Sequence, residues 1–511
     1  MMKKLFLLST LMLVMMAMLP MNMKAQVSVW DGTYSPWTNG TGTEADPFLI
    51  ENAQQLAYLA YRVNNGLDAA GGHVSNHDLY YKLMTDVDLN GREDFQWTPI
   101  GYWISNTNYY SFGGHFDGNN HTISGLYINS SANRVGFFGY TDGATILNLS
   151  VSGDTVATTG QYAGGIVGYS SSLTITNCNN VGNISSALSC GGIVGYNYYG
   201  ALTITNCYNV GNISSSTSSC GGIVGYNYYG ALTITNCNNV GNISSAASSC
   251  GGIVGYNYYM YSSSLTITNC YNVGNISSAA SCGGIMGNSY HNGALTITNC
   301  YNVGNISSSY SGGIVGNGTA HVTNCFYLDT CAANNTYGGL PMTAEVMRTP
   351  EFVEMLNNGS CAWEQDVAPQ VNNGYPILTM MIQDAYTEPA TDLTAVSATL
   401  NGYVTVEHAT IISKGFEYRE LGDSTFTAIN VTGNSNDFSF LLNGLTPNTT
   451  YEYRTFVNVV ECPYTAYGNI ETFEVSWLNA DTIYIYDADM LQWVSDRCNS
   501  GTDFAASTSN S

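Results

Sequence analysis

Apolar and polar positions alternate along most of this chain, and fixed punctuation interrupts the alternation. At Leu173 the chain reads LTIT, with Leu173 and Ile175 apolar and Thr174 and Thr176 polar, the period of a half-buried strand. Upstream of such strands stands GGIVGY, which begins at Gly164, Gly191, Gly221 and Gly251, with GGIMGN at Gly283 and GGIVGN at Gly312. The spacings are 27, 30, 30, 32 and 29 residues. Downstream runs NC(Y/N)NVGNIS, where Gly marks a turn before β-branched residues resume. An eroded copy, VGFFGY at Val135 followed by ATILNLSVSG at Ala144, brings the number of units to seven over 135–328. No unit holds a helical period. Coils of about 30 residues, each with about three short strands, predict a parallel β-solenoid.

The flanks follow other periods. Leu56, Leu59 and Val63 form a helical stripe, predicting a helix over 52–65 with Asn52 as N-cap and Gly66 as C-cap. Solenoid ends expose unpaired edges and apolar core, so this helix is expected to cap the stack. After the repeats, ATLNGYV at Ala398, GFEYRE at Gly415, FSFLLNGL at Phe438 and TTYEYRTFV at Thr449 alternate like sandwich strands. IYDADMLQWVSDRCNSG at Ile485 then repeats the pattern of IENAQQLAYLAYRVNNG at Ile50 at one constant offset. Leu491, Val494 and Cys498 replace the helical stripe, Asp487 the N-cap and Gly501 the C-cap. The chain reads as part of a longer modular array whose second capping domain begins there.

Composition narrows the partners. Lys3 and Lys4, an apolar run over 5–20 and Ala25 have the layout of a secretory signal peptide. The run is short for a membrane span, and no later stretch is long and apolar enough for one. No cysteine precedes Cys178, which excludes a lipid-bearing cysteine near the cleavage point. Cleavage after Ala25 removes Lys3, Lys4 and Lys24 and no acid, leaving nine of 12 basic residues against 36 acidic ones. Nucleic acid and anionic membranes need Lys and Arg to displace their counterions, so neither is an expected partner. Charged residues make up 9% of the chain and hydrophobic ones 44%, spaced regularly enough to bury a large core.

The GGIVGY and TITNCYNVGNIS units resemble the GLUG-repeat family of secreted bacterial surface proteins. The preceding segment resembles that family's first domain, with YYKLMTDVDLNG at Tyr80, WTPIG at Trp97 and FGGHFDGNNHTISGL at Phe112. A closing segment matches in TAEVMRTPEFVEMLNNG at Thr343, Trp363 and NNGYPIL at Asn372. The resemblance covers roughly 30–378 and implies a right-handed β-helix of the pectin-lyase type, without that enzyme's chemistry. Residues 385–475 look like a fibronectin type III module, with Tyr451 where the tyrosine corner of an immunoglobulin-like sandwich would fall. The expected organisation is a signal peptide (1–25), a capping domain (26–134), repeats (135–328), a closing segment (329–384), the sandwich (385–475) and a truncated second cap (476–511).

An enzyme needs titratable groups where the repeats build their surface. Between 155 and 328 there is no Asp, Glu, Lys or Arg, and only His291 and His321 titrate near neutrality. Polysaccharide β-elimination needs a base and a cation for the developing carbanion, and glycoside hydrolysis needs two nearby carboxylates. The capping domain holds Asp86, Asp88, Asp94, Asp117, His115 and His121. Asp86 and Asp88 project from one face, as a Ca²⁺ site would use, but turn capping is the plainer reading. HFDGNNH lacks the helical HExxH spacing of a zinc protease. No catalytic residue, metal or cofactor is expected.

Cysteines recur by repeat. Cys178, Cys207, Cys237, Cys270, Cys300 and Cys325 follow Thr-Asn, and Cys190, Cys220, Cys250 and Cys282 precede Gly-Gly. Successive coils bring equivalent cysteines within disulfide reach, yet buried reduced thiols are the more economical arrangement. Strict alternation from Ile175 points Cys178 outward, unless the strand bends at Asn177. Tyrosines carry the positive clue. GYNYY supplies Tyr196, Tyr198 and Tyr199, then Tyr226, Tyr228 and Tyr229, then Tyr256, Tyr258 and Tyr259, which stacked coils turn into aromatic ladders. The alternative is that one Tyr per unit packs between coils and the rest cover the edge.

The reading is an all-β secreted or cell-surface protein, a right-handed parallel β-helix with a helical cap plus a β-sandwich. Its expected function is non-enzymatic and adhesin-like, with an extracellular glycan or protein as partner. The alternative is a polysaccharide-active lyase or hydrolase on the same fold. A third class is ice or crystal binding by the Thr174 and Thr176 ladders.

Overall fold

The computed structural model describes residues 27–476, apart from 68–73, 76, 106–107, 154, 259–263, 291–294, 332–337, 380–381, 408 and 461, and beyond them only 491, 492, 495 and 496. The signal peptide, His291, Tyr259 and nearly all of the cap-like segment at 485–501 lie outside the described residues. Among the described residues the chain forms two compact units. One extends to Asn358 and includes Gln365–Pro376; the other holds Gly359–Glu364 and resumes at Ile377.

The first unit is a parallel β-solenoid built of five strand stacks, of 11, 10, 10, seven and seven strands. One coil shows the plan: Ser189–Gly191, Val194–Tyr198, Leu202–Thr205, Tyr208–Asn209 and Ile213–Ser215. Each coil therefore has five strands where about three were expected. The extra corners are sharp because single residues make them. A Cβ on Gly222 would lie 2.0 Å from the Gly252 carbonyl oxygen, so this corner tolerates only glycine. The opposite corner is an asparagine in left-handed conformation, Asn206 at φ 53°, repeated at Asn148, Asn177, Asn236, Asn269, Asn299 and Asn324.

That asparagine decides the fate of the next residue. The bend at Asn177 breaks strict alternation and turns Cys178 inward, where it is fully buried. Like stacks on like along the axis: Ile175, Ile204, Ile234, Ile267 and Ile297 are register partners in sequence. All five are fully buried, and each contributes on the order of 2–3 kcal/mol of apolar transfer. Interior amides stack in the same way, Asn180 to Asn209, Asn239, Asn272 and Asn302, with each Nδ2 donating to the next Oδ1 at 2.7–2.8 Å. Each of these Nδ2 groups also donates to the carbonyl two residues on, so the buried amides are satisfied.

The predicted cap forms. Helix α1 is Ala53–Asn64, with the Asn52 side chain accepting from the Gln55 N–H at 2.9 Å. At its other end Gly66 adopts φ 62°, Gly66 N donates to Val63 O, and Leu67 N donates to Arg62 O, a Schellman closure. Leu56, Leu59 and Val63 are fully buried and continuous with the core of the first coils. Helix α2, Pro350–Asn357, covers the far end. Its Phe352 meets Phe326 edge-on at 5.1 Å. Below it, Asp366 accepts N–H bonds from Val371, Asn372 and Gly374 at 2.8–2.9 Å. Burial raises the carboxyl pKa, but those three bonds outweigh burial and hold it below its ordinary value. The turn so fixed lets Asn372 Nδ2 donate to Tyr301 Oη at 2.7 Å, closing the last coil.

The second unit has two antiparallel sheets. One pairs Ile382–Thr391, Ser397–Glu407 and Asp437–Asn443. The other is built on Ile411–Glu420 and Thr449–Val459. Leu400, Phe416, Tyr453 and Phe473 fill its core. Tyr451 Oη accepts from Thr446 N at 3.0 Å, the bond a tyrosine corner makes to the backbone just upstream. A disulfide not anticipated from sequence joins Cys361 to Cys462, and Trp363 pairs with Leu378. These links tie 359–364 to the sandwich although that stretch lies within the expected closing segment.

Candidate functional site

Charge-free coils leave aromatic side chains as the most distinctive surface of the solenoid. The strands that end in GYNYY stack in register, so Tyr140, Tyr169, Tyr196, Tyr226 and Tyr256 form one column. Two residues on, Tyr198, Tyr228, Tyr258 and Tyr290 form a second. The residue between them faces in: Ser170, Asn197, Asn227 and Asn257 are buried and bonded in series at 2.7–2.8 Å. Period-two alternation therefore puts both tyrosine columns on the outer face, anchored by an inner amide ladder.

The two columns differ. In the second, Tyr198 and Tyr228 are parallel within 1° at a centroid distance of 5.5 Å, Tyr228 and Tyr258 within 9° at 5.3 Å, and Tyr258 and Tyr290 within 11° at 5.3 Å. These rings spend their faces on one another, so their edges and hydroxyls are what the column offers to a ligand. Tyr198 is 39% exposed and Tyr290, at the end of the row, 56%. In the first column Tyr169 and Tyr196 stack at 5.3 Å, and beyond them the rings meet edge to face, Tyr196 to Tyr226 at 5.1 Å and Tyr226 to Tyr256 at 4.9 Å. Tyr196 is only 6% exposed because Tyr162 stacks on it at 4.2 Å.

The nine tyrosines named from sequence thus divide. Tyr198, Tyr199, Tyr228, Tyr229 and Tyr258 are exposed or half-buried, and Tyr226 and Tyr256 are half-buried between them. Tyr196 is a packing residue, and Tyr259 lies outside the described residues. Tyr199 and Tyr229 take positive φ, 62° and 63°, at the turn that follows the strand, and their rings lie 4.9 Å apart. Burial raises the pKa of Tyr169, Tyr196 and Tyr226 well above that of a free phenol.

Sequence reasoning missed Tyr140, Tyr169 and Tyr290, which extend the columns, and Tyr162, which covers Tyr196 from another strand. The signal was present, since Tyr140 and Tyr169 end VGFFGY and GGIVGY. It also missed Arg134 and Trp103. The Arg134 guanidinium lies 3.6 Å from the Tyr169 ring centroid, 4.0 Å from Trp103 and 5.1 Å from Tyr140. Burial lowers its pKa while the surrounding tyrosines oppose that shift.

The carboxylates singled out in the capping domain each have a partner. Asp86 Oδ1 accepts from Thr122 N at 2.9 Å and meets His121 Nδ1 at 3.1 Å. Asp88 Oδ1 accepts from Asn90 N, and Asp117 Oδ1 from Asn119 N and Asn148 Nδ2. Asp94 pairs with Arg92 at 2.9 Å, and His115 stacks on Tyr80 at 4.1 Å. Each serves its own turn or neighbour. Among the described residues no three His, Cys, Asp or Glu side chains gather as a metal site would require.

The repeat cysteines are buried and unbridged. Burial pushes the thiols of Cys178, Cys237, Cys270 and Cys300 well above their ordinary pKa. Thiols in that state are packing groups and weak nucleophiles.

The chain matches no family profile. It is 31% identical over 163 residues to a protein of Evansella cellulosilytica named as a Gly-rich membrane protein, covering 31% of this chain and 16% of that one. It is 29% identical over 177 residues to halomucin of Haloquadratum walsbyi, covering 34% of this chain and 2% of halomucin. The chain therefore spans a small part of the relatives it matches. Among solved structures, an IgA1 protease aligns over 55% of this chain at 16% identity with a TM-score of 0.33. A sensor domain of the anti-sigma factor RsgI4 from Pseudobacteroides cellulosolvens aligns over 19% of this chain at 21% identity and a TM-score of 0.16. No helix among the described residues is long and apolar enough to cross a membrane. What the chain is similar to, over about a third of its length in each case, is protein of the membrane and surface type.

Proposed function

We propose that this chain is a non-enzymatic, secreted or cell-surface protein whose solenoid displays a rigid tyrosine face to an extended extracellular glycan or protein. The observation that carries the reading is the second tyrosine column, four parallel rings spaced 5.3–5.5 Å on coils without a single ionised residue. A row of equal sites at a fixed interval is multivalent. Contacts of about 1 kcal/mol each sum along a ligand that lies over several coils. Halomucin and the Gly-rich membrane protein are surface-type by name, which agrees with this role. The GLUG-type repeat and the fibronectin-like module belong to the same proposal, the latter as a spacer.

The test is a glycan-array and matrix-protein screen on the full chain, followed by Tyr198→Ser, Tyr228→Ser and Tyr258→Ser together. The triple variant should lose binding far more than any single one and keep the parent's circular dichroism. A triple variant that binds like the parent ends the proposal. The alternative, a polysaccharide lyase or hydrolase, would draw on the carboxylates of the capping domain, where Asp86, Asp88 and Asp117 each accept a backbone N–H bond. Release of reducing or unsaturated ends by pure protein, abolished by Asp86→Asn or Asp88→Asn, would favour it.

A further inference from the structure

We propose that Arg134 anchors a subsite for a carboxylated sugar, of the uronic-acid kind, at the head of the tyrosine face. The inference rests on the reading of that face as a glycan-binding surface and adds the chemical class of one residue of the glycan.

Arg134 is the one basic residue between Arg92 and Arg348, a span that contains every repeat. Other cations of the protein have acceptors: Lys82 has Asp117, Arg92 has Asp94, Arg419 has Glu452 and Arg454 has Glu417. Arg134 has none. Its Nε is shut off from solvent without a hydrogen-bond partner, and no carboxylate pairs with it. Trp103, Tyr140 and Tyr169 surround the guanidinium instead. Rings under a guanidinium compensate its charge, but they do not use the N–H donors in its plane. The Nη groups have no acceptor either and are not shut off as Nε is, so they are the donors that a group arriving from outside can reach.

The geometry points to what that group is. A guanidinium fork matches a carboxylate with two parallel N–H bonds, and pre-positioning by packed rings lowers the ordering needed on binding. Aromatic neighbours suit the apolar patches and hydroxyls of a sugar ring. From Arg134 a run of packed rings leads to the exposed column: Tyr169 to Tyr196 at 5.3 Å, both nearly covered, then Tyr196 to Tyr198 at 6.3 Å, where that column begins. Beyond that point the face carries no charge of either sign. The protein's net charge of −24 repels a dense polyanion. The fitting ligand is therefore a mostly neutral glycan with a single or sparse acidic residue, seated with its carboxylate on Arg134 and its neutral part along the tyrosines.

Three probes decide the matter on the full chain by titration calorimetry: an oligosaccharide ending in one uronic acid, its carboxyl-reduced neutral counterpart, and the counterpart bearing a sulfate ester. The parent should bind the uronic-acid probe at least tenfold more tightly than the neutral one. Arg134→Gln should bind both alike, at the neutral probe's affinity, and Arg134→Lys should recover only part of the preference, because an ammonium is a point charge. Equal affinities in the parent, an undiminished preference in Arg134→Gln, or equal preference for the sulfate ester overturns the assignment. If Arg134→Gln does not fold, the Nε–H resonance of Arg134 in the parent replaces it. That resonance should move as the uronic-acid probe is added and stay fixed with the neutral one, and an unmoved resonance overturns the proposal. If the neutral probe binds and the triple tyrosine variant loses it, while Arg134→Gln changes nothing, the tyrosine-face reading stands and this one falls. If no probe binds the parent, this assignment falls, and the array screen decides the other.

Discussion

The side-chain amide of Asn209 donates to that of Asn239 across 2.7 Å in the buried interior, and Asn239 repeats the bond to Asn272 at 2.8 Å. Each amide also satisfies a carbonyl of its own coil. This ladder is why neighbouring coils take one register, because a slipped coil would bury unmatched donors and acceptors. Asn239→Ala removes the acceptor for Asn209 and the donor for Asn272, and should cost about 2–3 kcal/mol of unfolding free energy. Asn212, exposed on the surface, donates its Nδ2 to Asn183 and accepts from Asn242 N, and Asn212→Ala should cost less than about 1 kcal/mol. Urea unfolding of both variants checks this. Equal losses would deny the buried ladder its role.

The covered tyrosines make the solenoid sensitive to alkali. Tyr169, Tyr196 and Tyr226 have folded pKa values above 10.0, raised chiefly by burial. A group with a raised folded pKa contributes stability that is complete below its unfolded value and lost as pH rises through the folded one. Stability should therefore be flat up to about pH 10 and fall above it. Absorbance of tyrosinate together with circular dichroism reads the outcome. All 39 tyrosines titrating in one step near 10 with the fold intact would contradict it.

The disulfide closes a long loop within the second unit, with 101 residues separating Cys361 from Cys462. Chain entropy assigns such a loop roughly 4–5 kcal/mol, an upper figure for Cys361→Ser or reduction. Calorimetry should show the sandwich transition shifting down and the solenoid transition staying in place. An unshifted sandwich transition under reducing conditions would show the bond contributes nothing.

The repeat cysteines should be silent in the native state. Cys178, Cys207, Cys237 and their equivalents are fully buried with no bridge. A chromogenic disulfide reagent should find them only after unfolding in denaturant, when they appear together. Fast reaction of several thiols in the folded protein would mean that the coils open locally.

The periodic part of the architecture was legible because a solenoid converts sequence period into spatial register. The LTIT alternation, the units from Val135 onward and the Asn52 cap each appear where the pattern placed them. Local chemistry sufficed there, since each signal concerns residues that are neighbours in the chain or one repeat apart. The number of strands per coil was not legible, because it depends on how sharply Asn206 and Gly192 turn the backbone against the next coil.

The sequence by itself determined a repeat-built all-β chain without Asp, Glu, Lys or Arg between 155 and 328, and it singled out tyrosines as the surface feature. Only the tertiary structure decided which tyrosines are surface. Tyr196 and Tyr198 both point outward by alternation, yet Tyr162, on a different strand of the neighbouring coil, covers the first and leaves the second open. Only the fold, too, joined Arg134 to Trp103 and Cys361 to Cys462. Those pairs are separated by 31 and 101 residues that share no period, and packing in three dimensions is the one interaction that can bring them together.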